Sequence, residues 1–292
     1  MDGRHKMNPL FTVGFVNYKT SLYMETQFKI YQHFAGEDVK IIVVDTSNLD
    51  EEFAALNEIV KKFNIPIQTI QLDFHGKYAS DAHGSGLQYI YEIVDTDYFL
   101  TQDPDFFWVL PSFLTFFKEK LQDHVVVGAP YHLSALADWS GHPWFPAAFG
   151  AAHDMKALHE VNADFRYSTE PIPGVNKQID RDVGWLVREK LKNRSYYYFS
   201  VMSAQLPIGK TYSNNYWQKY LDGQTTVAYH LQRGSFETQA KDGLRLAYHG
   251  RVNRRERLRT MRAPKEWQRN RKKACEFFWE EINKAAEKKN DG

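Results

Sequence analysis

A single cysteine, Cys275, is all the thiol chemistry that this 292-residue chain contains. One thiol excludes an intrachain disulfide and any zinc site built from several thiolates, and it fits a reducing compartment. Cys275 itself reads as a small apolar side chain buried on a late helix rather than as a reactive thiol. Long hydrophobic runs are missing too. No stretch approaches the roughly 20 apolar residues of a membrane-spanning helix. Met1 to Leu10 carries charges where a signal peptide would carry an apolar segment. Together these absences lead to the expectation of a cytoplasmic protein. With 43% apolar and 25% charged residues the chain has the balance of a folded domain, not of a disordered one. Its length suits one large α/β domain, or a domain with an appendage, better than two equal domains.

Net charge is scarce as well, at +1, but it is unevenly spread. Eleven Lys or Arg stand against Glu256 and Glu266 between Arg251 and Lys273, which leaves the rest of the chain acidic. The boundary near Gly250 therefore divides a core, residues 1–250, from a basic helical extension, residues 251–292. Four readings of the basic stretch 251–273 stay open. It is a solvated or bracing helical face, a nucleic-acid contact, a docking site on an anionic membrane surface with Trp267, Phe277, Phe278 and Trp279 as anchors, or a protein contact. The membrane reading would place the protein at the periphery of the inner membrane surface.

What is present is a regular alternation. Phe11 to Tyr18 is an apolar run rich in β-formers, Leu22 to Phe34 has helical spacing, and Val39 to Val44 is a second buried strand. Glu51 to Phe63 reads as a helix and Ile65 to Leu72 as a third strand, so the order β-α-β-α-β predicts a parallel sheet covered by helices. A polar, glycine-bearing connection, His75 to Gly86, precedes a helix at Leu87 to Val94 and a strand at Tyr98 to Gln102. Further on, a short strand at Val125 to Ala129, a helix at Asp182 to Lys192, a strand at Thr225 to His230 and a helix at Trp267 to Lys288 are predicted. Ligands of open parallel sheets gather at the carboxyl ends of the strands. Asp45 and the pair Asp103 and Asp105 stand there.

Asp103-Pro104-Asp105, directly after an apolar strand, is the strongest local signal. Two carboxylates one residue apart can project together and bind a hard divalent cation, which then neutralises a diphosphate; the plainer alternative is an ordinary acidic turn. His83, in the segment HGSG, is either a helix entry or a donor contact. Trp139, Trp144 and Phe145 are either loop core or aromatic faces for a sugar or base. Asp182 is either a chemical base or a carboxylate favoured by a helix N-terminus.

Six segments in order carry a resemblance. FTVGFVNYKTSLYM resembles the opening strand and loop of glycosyltransferase family 2, IIVVDTSNLDEEF its second strand, and DYFLTQDPDFFW its metal-binding strand end. WFPAAFGAAHDMKAL is similar to the family's small-residue turn on the acceptor side, RDVGWLVREKL to its acidic helix start, and AYHLQRGS to its late histidine segment. The resemblance implies a GT-A fold, an α/β architecture with a mixed, mostly parallel sheet flanked by helices. It divides the core into a donor-binding half, residues 8–124, and an acceptor-side half, residues 125–250. It further implies transfer of a sugar, with inversion, from a nucleoside-diphosphate sugar, a UDP-sugar first, with Mn²⁺ or Mg²⁺. The acceptor stays open among a glycan, a lipid-linked sugar, a protein and modified DNA.

Carried onto this chain, the resemblance gives Asn17, Tyr18, Thr20, Asp45, Ser47, His83 and Asp103 to the nucleotide sugar. It gives Asp103, Asp105 and His230 to the metal, and Trp144, Phe149 and Gly150 to the acceptor side. Asp182 would be the base, with Asp180 as the alternative. The chain departs from the pattern in placing Arg181 where the family has an acid. That departure keeps a second reading open, a GT-A-like protein with impaired chemistry that binds nucleic acid or a membrane surface through its tail.

Overall fold

The computed structural model describes residues 9–35, 38–74, 79–130, 144–171, 178–205, 216–231 and 264–290. The apolar run at the start forms strand β1 (Phe11–Asn17), buried at every position, as a strand covered on both faces must be. It is followed by helix α1 (Ser21–Phe34), β2 (Val39–Asp45), α2 (Asp50–Val60), β3 (Ile67–Gln71), α3 (Ala79–Ile93) and β4 (Tyr98–Gln102). These strands are parallel in the order β3, β2, β1, β4.

Two further strands extend the sheet, β6 (Val126–Pro130) and β7 (Pro146–Asp154), with a short β5 (Phe106–Trp108) and helix α4 (Phe113–Lys120) before them. β7 inserts between β4 and β6 and runs antiparallel to both. β10 (Tyr196–Tyr198) completes a seven-stranded mixed sheet in the order β10-β6-β7-β4-β1-β2-β3. The expected α/β class, a mostly parallel sheet flanked by helices, is the one observed. Side chains alternate between its faces. Val13, Phe15, Ile41 and Val43 pack with α1, α2 and α4, while Val16, Ile42 and Val44 pack with α3, with α5 (Met155–Glu160) and with α6 (Trp185–Leu191).

A hairpin of β8 (Ser168–Pro171) and β9 (Gln178–Arg181) leads into α6. A second, antiparallel sheet has the order β11-β12-β13-β5, from β11 (Ser200–Gln205), β12 (Tyr216–Asp222), β13 (Thr225–His230) and β5. Helix α7 (Pro264–Asn290) closes the described chain. Its Ala274, Phe278 and Ile282, the expected apolar side, are buried in the same core cluster as β1 and α1. The basic residues 251–263 lie outside the described residues, as do Trp139 and the side chain of Ala285. Among the described residues no helix is long and apolar enough to cross a membrane.

Three segments differ from the sequence expectation. The connection read as running to Gly86 is helical from Ala79 onward. Gly84 and Gly86 weaken helix propensity, yet both are needed there. A Cβ on Gly86 would lie 2.7 Å from Val16 Cγ2, and one on Gly84 would lie 2.7 Å from the Tyr167 backbone nitrogen. Close packing, not local flexibility, explains these glycines. The segment read as a small-residue turn is instead the nine-residue β7, whose alanines suit a strand buried between two others. The helix expected from Asp182 begins three residues later, at Trp185.

Candidate metal centre and active site

All parallel strands end at one edge, with Asn17 level with Asp45 across β1 and β2. At this edge a side-chain clip joins the two strands. Asn17 Nδ2 donates to Asp45 Oδ1 (2.7 Å), Ser47 Oγ donates to Asp45 Oδ2 (2.7 Å), and Thr20 Oγ1 donates to Asn17 Oδ1 (2.7 Å). Asn17 and Asp45 are fully buried. Burial raises the Asp45 carboxyl above its usual range, against the hydrogen bonds from Ser47 and Asn17. Tyr18, half-buried, sits in the turn between them. Asn17, Tyr18, Thr20, Asp45 and Ser47 are thus brought together.

One strand away, β4 ends in the acidic turn. Asp103, Asp105 and His230 each offer one ligand atom, all within 4.8 Å of one another. His230 Nε2 lies 3.8 Å from Asp103 Oδ2 and 3.5 Å from Asp105 Oδ1. The histidine arrives through strand pairing: β13 lies antiparallel to β5 with His230 opposite Phe106, and the Leu231 N–H donates to the Asp105 carbonyl (3.1 Å). Its ring is stacked on Phe149 at a centroid distance of 4.6 Å.

Opposite, from α3, His83 Nε2 approaches Asp103 Oδ1 to 3.2 Å. Both atoms are shielded from water and face each other, so this contact is an ion pair when His83 is protonated. Two hard carboxylate oxygens with one imidazole nitrogen suit Mg²⁺ or Mn²⁺ better than a soft cation. The donor set therefore fits a divalent metal.

The Asp103 carboxyl is raised chiefly by burial. His83 and His230 pull it down, while the charges of Asp105 and Asp182 push it up. Asp182 is therefore within electrostatic reach of the acidic turn. Its Oδ1 accepts from the Val183 N–H (2.8 Å) and its carbonyl accepts from the Trp185 N–H (3.0 Å), so it is held just ahead of α6. Arg181, its neighbour, lies against the Trp185 ring, 4.1 Å from the centroid. Asp180 is in β9, and its side chain lies outside the described residues.

The acceptor-side residues separate. Gly150 pairs with Gln102 inside the sheet, where a Cβ would come within 2.7 Å of the Phe106 ring, and Phe149 is buried behind His230. Trp144 is half-buried and stacked on Tyr198 (5.5 Å, 15°), itself 42% exposed.

Sequence reading missed the strand Phe106-Phe107-Trp108. Three successive aromatics after a turn are the signal that it offered. They alternate between faces: Phe106 meets His230 and Tyr220, whereas Phe107 stacks on Phe278 of α7 at 4.6 Å.

No protein-family profile matches the chain, and no curated protein matches it in sequence. Solved structures do match. A mannosyltransferase from Pyrobaculum calidifontis, in complex with GDP-Man and Mn²⁺, shares 14% identity over 66% of this chain at a TM-score of 0.46; this chain covers 55% of its length. Glucosyl-3-phosphoglycerate synthase from Mycobacterium tuberculosis, with Mn²⁺, UDP and glucosyl-3-phosphoglycerate, shares 12% identity over 65% of this chain and 69% of its own, at 0.45. The galactosyltransferase LgtC, with donor and acceptor sugar analogs, shares 11% over 64% and 72%, at 0.42. The chain is similar to these glycosyltransferase structures over about two thirds of its length, at TM-scores below 0.5 that carry no property from one protein to another.

Proposed function

We propose that this protein is a divalent-metal-dependent glycosyltransferase that moves a sugar from a nucleoside-diphosphate sugar, a UDP-sugar first, to an acceptor with inversion. The observation that carries this reading is the convergence of Asp103, Asp105 and His230 within 4.8 Å at the carboxyl edge of the parallel strands, with Asp182 in electrostatic reach. Asp103, Asp105 and His230 would hold the cation, which when bound would supply positive charge against the charge that develops on a departing diphosphate. The turn from Asn17 to Thr20, with Asp45 and Ser47, shapes the nucleoside end of the site. His83 faces the phosphates from α3.

Asp182 takes the proton of the attacking acceptor hydroxyl, a role that needs a carboxylate beside the reacting centre but outside the metal ligands. Attack in line with the departing diphosphate inverts the anomeric carbon. Trp144 and Tyr198 present aromatic faces on the acceptor side, while Phe149 supports the His230 ring and Gly150 lies within the sheet beside Gln102. The open acceptor classes are a glycan, a lipid-linked sugar, a protein and modified DNA.

Thermal shift with UDP tests the reading. UDP with Mn²⁺ is expected to raise the melting temperature of the wild type, and Asp105→Ala is expected to abolish that rise. A rise that needs no divalent ion and persists in Asp105→Ala would remove the metal from the mechanism.

A further inference from the structure

Beneath the acidic turn lies a closed set of buried hydrogen bonds that the proposed chemistry does not use. Gln27, on the inner side of α1, donates through Nε2 to the carbonyls of Pro104 (2.9 Å) and Phe106 (2.7 Å), which flank Asp105. Its Oε1 accepts from Gln102 Nε2 (2.9 Å), whose other hydrogen goes to the Phe106 carbonyl (2.6 Å). Gln102 Oε1 accepts from the Tyr31 hydroxyl and from Trp108 Nε1 (2.9 Å). All four side chains are at most 1% exposed.

The chemistry of the partners fixes both amide orientations. An indole N–H only donates, so Gln102 must turn its oxygen to Trp108 and its NH₂ to Gln27 and Phe106. Gln27 must then accept with its oxygen and donate both hydrogens to carbonyls. Every amide hydrogen of the pair is used. A fully satisfied buried network of this kind holds one geometry, because any displacement strands a polar atom away from water. The turn it grips is already stiffened by Pro104, whose ring fixes φ.

We propose that Gln27 and Gln102 are positioning residues of the metal centre, which clasp the backbone on either side of Asp105 so that the two carboxylates converge before a cation arrives. The proposal rests on the reading of Asp103, Asp105 and His230 as metal ligands. Without the clasp, metal binding has to order the turn as well as fill the site, and the affinity falls accordingly. Removing groups that orient metal ligands typically weakens binding about 10- to 100-fold.

Mn²⁺ titration followed by electron paramagnetic resonance on the full chain, well below each variant's melting temperature, tests it. Gln27→Met keeps the side-chain length and removes both donors; its Mn²⁺ dissociation constant is expected to rise about tenfold. Leu56→Ala, a core truncation on α2, lowers stability without touching the turn and is expected to leave Mn²⁺ affinity unchanged. Tyr31→Phe removes one donor to Gln102 and is expected to weaken Mn²⁺ binding less than Gln27→Met, which keeps the test available should Gln27→Met not fold.

Wild-type affinity in both Gln27→Met and Tyr31→Phe overturns the positioning role while the metal reading stands. An equal loss in Leu56→Ala overturns it too, since general destabilisation would then account for the effect. A wild-type protein that binds no Mn²⁺ removes the metal reading and this proposal with it.

Discussion

Asp103 and Asp105 have different neighbours, although only Pro104 separates them. Asp105 is buried against β13, whereas Asp103 stays half-buried and faces both His83 and His230. Asp182 adds a third negative charge to the same space. If Asp182 is the base, Asp182→Asn is expected to keep the UDP and Mn²⁺ thermal shift while sugar transfer falls about 10²- to 10⁴-fold. Unchanged transfer would move the base elsewhere.

His153 makes a separate prediction. Burial holds its imidazole down to about 4, with Nδ1 donating to the Phe99 carbonyl. An unfolded histidine titrates near 6.5, so below that pH the unfolded chain gains a proton that the folded one refuses. Stability is therefore full above about pH 6.5 and is lost as pH falls towards 4, by up to about 1.4 kcal/mol per pH unit from this residue. Urea unfolding at pH 7 and pH 5 is expected to show a smaller acid loss in His153→Gln than in the wild type. Equal losses would mean that His153 is not held neutral.

The carboxylates of the turn were legible in the sequence because strand and site are adjacent there. His230 stands far along the chain: the resemblance assigns it to the metal, but nothing in its own segment announces that β13 pairs with β5. Gln27 is one polar position among others in α1, and a buried amide and an exposed one have the same name in a sequence.

At the scale of elements, the small sheet has a front and a back. Its front carries Phe106, Tyr220 and His230 towards Asp103 and Asp105, while Phe107, Trp217 and Tyr229 meet Phe278 of α7 behind it. Phe278 is fully buried, and Phe278→Ala is expected to cost about 3–5 kcal/mol in denaturant unfolding. A cost under about 1 kcal/mol, the level of a well-tolerated core swap, would mean that α7 does not hold this face. The apolar spacing of Ala274, Phe278 and Ile282 was readable as a helix with one buried side. Which surface it covers was not, because periodicity records that a face is buried and says nothing of its partner.

At the scale of the whole molecule, α7 belongs to the main core even though the chain's basic stretch begins before it. Ending the chain after Gly250 is expected to uncover Phe107, Trp217 and Tyr229 and to produce a less stable, aggregating protein by size exclusion and thermal melting. A monomeric truncated protein with an unchanged melting temperature would place α7 outside the fold's stabilising contacts. This outcome also governs any gel-shift test of the basic stretch, whose loss of binding would need to be separated from loss of the folded core.

The sequence by itself determined the alternation of strands and helices through the first hundred residues, because β1, β2 and β4 are apolar runs that end in polar residues and the segments between them carry helical spacing. It also marked the strand ends as the place of Asp45, Asp103 and Asp105, which the fold brings to one edge of the sheet. Only the tertiary structure decided that β7 runs antiparallel between β4 and β6, that β13 pairs with β5 and so sets His230 beside Asp105, and that Gln27 of α1 and Phe278 of α7 contact residues 104–107. Local sequence encodes how much of a segment avoids water. Pairing between segments is set by contacts between residues far apart in the chain, whose sum no single segment contains.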